Sequence, residues 1–175
     1  MEFFDVIAKR ASYRGKFTDE KIGRDVLEKI VTAGIRAPSG CNCQTTSFVI
    51  VDETALIEKI GSIMGKSFVS QAAALIIAVA DTTPAYGSET FYKEDAAAAI
   101  ENILLAIADL GYAAVWLDGY LRVNGVAEQI GALLGVPASK RVQILLPVGR
   151  PCEPVAQKEK LPFAKRAWFN RYEGK

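Results

Sequence analysis

The chain has 175 residues, 21 Lys and Arg against 20 Asp and Glu, and half of its residues are apolar. That balance belongs to a globular chain long enough to bury a core without disulfide staples and short enough for one domain, residues 1–175. A net charge of +1 gives no long-range field for nucleic acid or anionic lipid, so neither partner is expected and any anion site must be a local cluster.

Phe3, Phe4, Val6, Ile7 and Ala8 carry the apolar stripe of a first helix running to about Arg10. Polar residues from Ser12 to Lys21 predict a loop with a turn at Gly15. Ile22, Val26, Leu27, Ile30, Val31 and Ile35 recur at helical spacing and predict a second helix ending near Arg36, ahead of Pro38. Phe48–Val51 predicts a short buried strand and Ala55–Ile63 a further helix. Ala73–Ala80, apolar on both faces, predicts a strand central in its sheet.

Asp81–Tyr92, holding Pro84 and Gly87, predicts a mobile loop. Glu94–Leu110 is nearly all Ala, Ile and Leu, stopped by Gly111, and a helix apolar almost all round belongs in the middle of a fold. Ala113–Leu117 predicts a strand, Asp118-Gly119 a turn, Asn124 the cap of a helix ending at Gly135, and Arg141–Val148 a last core strand. After Gly149 come three prolines, several lysines, then Trp168, Phe169 and Tyr172. Such a tail is not stable alone in water; it predicts an arm over about 150–175 that docks elsewhere, plausibly on a second subunit.

Histidine is absent, which removes Ser-His-Asp and Cys-His nucleophiles and His-based zinc sites. Three cysteines, two of them one residue apart, make no disulfide framework, and they read as incidental. The longest apolar stretch, Ala72–Ala80, is far below the roughly 20 residues of a membrane span. Acids in the first five residues argue against a signal peptide, so the expected compartment is the reducing cytoplasm. Neither G-x-x-x-x-G-K-[ST] nor G-x-G-x-x-G occurs, so any nicotinamide must bind without a Rossmann turn.

Two polar clusters stand out. Arg10, Ser12 and Arg14 gather cations and a hydroxyl at a helix C-terminus; guanidinium pairs bind phosphate, but cations also cap helix ends in ordinary proteins. Pro38 and Ser39 make a turn, with Asn42 and Gln44 at spacing two. On extended backbone those two amides face one ligand edge, whereas in a polar loop they satisfy their own backbone. Together the clusters suit a divided site for a flat, phosphate-bearing ligand. Lys158 and Lys160 are solvated charges unless the tail folds back, and Glu101 and Asn102 read as satisfied interior or edge groups.

In order along the chain these pieces resemble the FMN-dependent nitroreductase family. Arg10-Ala11-Ser12-Tyr13-Arg14 with Phe17 is similar to its R-R-S-x-R-x-F opening, and Ala37-Pro38-Ser39 with Asn42 and Gln44 to its A-P-S-x-x-N-x-Q segment. Glu101–Ala106 with Gly111, Leu146–Pro151, and Lys158–Pro162 are similar to the N-x-L-L-A…G-L helix, the P-x-G-x-P strand end and the K-x-R-x-P pair. The resemblance implies an α+β fold with a central, mostly antiparallel sheet flanked by helices. It also implies a homodimer with FMN at the interface and a C-terminal arm extending onto the partner.

It implies that Arg10, Ser12, Arg14, Lys158 and Lys160 hold the phosphate and ribityl chain, and that Pro38, Ser39, Asn42 and Gln44 contact the cofactor, some from the second subunit. Asp118 and Gly119 would lie by the ring, a backbone N–H near flavin N5. No metal and no side chain acting as catalyst are implied; flavin N5 does the chemistry. The implied reaction is ping-pong hydride transfer from NAD(P)H to an electron-poor small molecule such as a nitroaromatic or quinone. A flavin enzyme of another reaction, such as reductive dehalogenation, or a non-catalytic flavin-sensing dimer are the alternatives. Four departures stand out: Ala11 and Gly40 replace polar residues, Lys160 replaces arginine, and the segment ahead of the long helix is too short for lid helices.

Overall fold

A computed structural model describes residues 1–174. Ala74–Asp81 (β2) offers no polar face, so both its sides need cover. It pairs with Thr46–Val51 (β1) on one side and Lys140–Gly149 (β4) on the other, and Ala113–Ala114 (β3) completes a sheet of order β1-β2-β4-β3. Every pairing is antiparallel, with a register shift between Ala78 and Val79. The expected central strand and α+β class are observed.

Alternation along β2 sends Ala74, Ile76 and Ala78 to one face and Leu75, Ile77 and Val79 to the other. The first face packs on Arg24–Ile35 (α2) and Tyr92–Asp109 (α5); the second packs on Thr54–Met64 (α3), the one-turn Ser67–Ser70 (α4) and Val126–Leu133 (α6). Phe3–Lys9 (α1) lies against α5. The all-round apolar α5 is thus sandwiched, as expected. Its small residues permit close approach: a Cβ on Gly34 of α2 would stand 2.6 Å from Ile103 Cδ1. Asn102 Nδ2 donates to Ala33 O at 3.1 Å, the satisfied interior role its setting suggests.

Two local expectations change. The predicted strand over Ala113–Leu117 stops at Ala114. Ala114 pairs with Val148, so the next rung would need Pro147, which has no N–H to give. Pairing resumes where Leu117 and Leu145 exchange both backbone bonds, at 3.0 and 2.9 Å. Asn124 is not the cap of α6: it and Gly125 both adopt left-handed backbone (φ 54° and 65°), and Gly125 takes the cap position. The loop after β2 contains a tight turn in which Ala85 N–H donates to Glu89 O at 2.8 Å.

The C-terminal arm begins on its own chain. Phe17 pairs with Pro151, Cys152 N–H donates to Lys16 O at 3.0 Å, and Val155 packs on the core. Arg150 clamps this crossing through two hydrogen bonds to Glu20, at 2.6 and 3.0 Å. Hydrogen bonding from that guanidinium holds the Glu20 carboxyl below the usual carboxylate range. Whatever this exposed pair contributes is therefore present above the ordinary carboxylate pKa and fades as pH falls. Farther on, Leu161, Phe163, Phe169 and Tyr172 are exposed.

Gly149 is needed at this crossing because a Cβ there would lie 2.6 Å from Cγ of the buried Phe17 ring. Gly149→Ala is expected to cost about 1–3 kcal/mol by overpacking. A urea denaturation midpoint equal to that of the parent would show that Phe17 yields freely. Among the described residues, no helix is long and apolar enough to cross a membrane.

Candidate functional site

Arg10 is the C-cap of α1, and the chain after it runs beside β3. Ser12 bridges Ala114, and Tyr13 N–H donates to Ala114 O at 2.9 Å. Tyr13 is buried, its ring 5.4 Å from that of Phe17 and its hydroxyl donating to Lys16 O at 2.6 Å. On extended backbone, burying Tyr13 turns its neighbours Ser12 and Arg14 outward, and both are exposed. Arg10 is partly neutralised by Glu101, its Nε lying 3.5 Å from Oε1.

The tail does fold back here. Gln157 Nε2 donates to the carbonyls of Ile7 and Arg10, at 3.2 and 2.9 Å. That seat fixes Lys158, the next residue, beside the cationic segment, with Lys160 shortly beyond; both are exposed. A cavity of about 250 Å³ lies beneath, walled by Arg10, Ala11, Ile107, Gly111, Tyr112 and Val155 among others. Gln157 therefore seats the start of the lysine-bearing segment at the α1 terminus, next to Arg10.

The amide segment is shaped differently from the extended expectation. Gly40–Asn42 forms a tight 3-10 turn, and Cys41, Asn42 and Gln44 all take left-handed backbone (φ 51°, 54° and 51°). Alternation therefore does not govern Asn42 and Gln44; three strained turns do, at about 1 kcal/mol each for a residue that is not glycine. What holds them is a set of local bonds. Ser39 Oγ accepts from Gln44 N–H at 3.0 Å, and Asn42 N–H donates to Ser39 O at 3.0 Å. Asn42 and Gln44 are exposed, and their side-chain amides make no hydrogen bond among the described residues.

Sequence reasoning missed Asp95. It is 5% exposed on α5, and its carboxylate accepts from Gly40 N–H at 2.8 Å and from the Thr45 hydroxyl at 2.6 Å. The only signal was an acid heading a run of alanines, which reads as a helix first-turn preference. Gly40 also has its reason: a Cβ would stand 2.7 Å from Phe91 Cγ, so no side chain fits.

These two groups stand at opposite edges of the sheet. Gln44 and Thr45 lead into β1, while Ser12 flanks β3. Three strand spacings of about 4.8 Å separate β1 from β3, so the groups lie roughly 14 Å apart or more. Asp118 and Gly119 fall on the β3 side, just after the Leu117–Leu145 bridge. Arg122 holds the Asp118 carboxylate at 2.5 Å, and a Cβ on Gly119 would meet open space. One chain thus holds the two polar groups apart. Among the described residues no group of His, Cys, Asp and Glu could hold a metal ion.

The sequence profile described as the Nitroreductase family matches residues 7–78 and 64–150. A nitroreductase family protein from Clostridium novyi NT is similar over 87% of both chains, with 32% identity and a TM-score of 0.78. An NADPH-dependent oxidoreductase from a bovine strain of Staphylococcus aureus is 30% identical over 188 residues, covering 97% of this chain and 73% of that protein. The structure of an FMN-dependent nitroreductase from Clostridium difficile R20291 shares the fold, with a TM-score of 0.83 over 97% and 99% of the two chains at 24% identity. Fold and likeness define an α+β oxidoreductase. The chain belongs to the nitroreductase family.

Proposed function

We propose that two copies of this single-domain chain enclose FMN at their interface and pass hydride from NAD(P)H to an electron-poor small molecule. The observation carrying this reading is the separation of a cationic half-site and an amide half-site to opposite sheet edges. A two-fold operation brings the β3 edge of one copy to the β1 edge of another and makes two equivalent pockets. The exposed Leu161, Phe163, Phe169 and Tyr172 supply the apolar area for an arm laid across the partner.

The donor set fits the group. Arg14, Lys158 and Lys160, which make no ion pair among the described residues, offer cations for a phosphate, with Arg10 shared with Glu101 and Ser12 offering a hydroxyl. Asn42 and Gln44 offer amides that both donate and accept, suited to the mixed carbonyl and imide edge of a flavin. Pro38 fixes the turn that presents them, and Ser39, accepting from Gln44, keeps its hydroxyl hydrogen free to donate. The open space at Gly119 lets a ring approach the backbone there. Bound FMN supplies hydride acceptance and donation at N5; the chain supplies binding, orientation and charge.

With no dinucleotide fingerprint, NAD(P)H and acceptor would use the same face in turn. Purified protein is then expected to be yellow, to carry one FMN per subunit, and to give parallel lines in double-reciprocal plots at varied NAD(P)H. Intersecting lines would sink the shared-face scheme, and a colourless protein that takes up no added FMN would sink the whole reading.

A further inference from the structure

Asp95 has no part in the chemistry described so far, yet it is the one buried carboxylate among the described residues. Its two oxygens reach both ends of the amide half-site: Gly40 N–H just after Ser39, and the Thr45 hydroxyl just after Gln44. Between these anchors lie three left-handed residues that are not glycine, a conformation that relaxes unless something outside the loop holds it. Bonds within the loop tie it only to itself. At the Thr45 end β2 also holds the loop, through Asp81 N–H donating to Thr45 O at 2.9 Å; at the Gly40 end the hydrogen bond to the body comes from α5, whose buried Ala96, Ala99 and Ile100 are locked against the sheet.

Resting on the FMN reading, we propose that Asp95 is the positioning residue of the amide half-site. Its carboxylate sets the aim of Ser39, Asn42 and Gln44 toward the flavin without touching it. A carboxylate suits the task because it accepts from both donors at once, and its charge strengthens both bonds. Asparagine can keep both bonds if the Thr45 hydroxyl turns to accept from the new amide. Alanine can keep neither, and it leaves Gly40 N–H without its partner.

Asp95→Ala is therefore expected to raise the Kd for FMN at least tenfold and to lower kcat/KM for the acceptor at least tenfold. Asp95→Asn should recover both to within about threefold of the parent, and Asp95→Asn combined with Thr45→Val should lose that recovery. Ile130→Ala, in the core on the far face of the sheet, is the comparator for lost stability alone. Amide hydrogen exchange of the FMN-free protein gives a readout that needs no flavin: Gly40 and Gln44 should exchange at least tenfold faster in Asp95→Ala and unchanged in Ile130→Ala. Two results would overturn the proposal: FMN affinity lost equally in both variants, or a parental Kd, kcat/KM and Gly40 exchange rate in Asp95→Ala. A parent protein that binds no FMN overturns the functional reading itself, and the positioning role with it.

Discussion

Arg14→Ala combined with Lys158→Ala should weaken FMN binding by two to four powers of ten. Each charge-assisted contact to a phosphate is worth about 1.5–3 kcal/mol, and two of them together make roughly 3–6 kcal/mol. At about 1.4 kcal/mol per tenfold, that is the stated range. Both side chains are exposed and pair with no carboxylate among the described residues, so removing them leaves no buried charge behind and little cost in folding. Fluorescence titration of the FMN-free protein reads the change directly. Riboflavin, which lacks the phosphate, should bind parent and double variant alike. A drop of less than threefold for FMN would place the phosphate elsewhere.

A second large effect is expected in the core. Ile76 is fully buried in the middle of β2, on the face that carries α2 and α5. Ile76→Ala removes three carbons from that contact and leaves a cavity, at a cost of about 2–5 kcal/mol. Against the roughly 5–15 kcal/mol that holds a domain folded, this runs from about an eighth of the whole upward. Urea denaturation should show the midpoint falling with little change in slope, while FMN bound per folded molecule stays near the parent value. A parental midpoint would mean that the α2 and α5 layer closes over the gap at no cost.

Much of the architecture was legible because hydrophobic periodicity is strong here. The doubly apolar run of β2, the all-round apolar α5 and the 3.6-residue repeat of α2 each allow one placement only. What escaped depended on contacts between distant residues. Nothing within Ala113–Leu117 tells that Pro147 will lie opposite its third residue and interrupt the pairing. Nor does Gln44 announce left-handed backbone, which asparagine tolerates but glutamine disfavours, nor does the local sequence show that Asp95, some fifty residues later, accepts from Gly40 N–H at the start of the turn. The cationic residues were legible by type. That they act together came only from the resemblance, because the contact that folds the tail back, Gln157 reaching the α1 carbonyls, leaves no mark in the local sequence. The Glu101 pairing of Arg10 shows why charge alone is a weak guide: one of the expected phosphate ligands is already shared.

Helix α5 serves both half-sites, gripping the amide turn through Asp95 and meeting Arg10 through Glu101. Six positions separate these two acids, and at about 100° per residue they point some 120° apart around the cylinder. In the dimer proposed above, their angular phase is therefore a dimension of the binding site as much as any distance is. Inserting or deleting a single residue between them would swing one grip by about 100° relative to the other. The helix could stay apolar, buried and fully hydrogen-bonded, and in the proposed dimer the amide turn of one copy would still no longer meet the cations of the other.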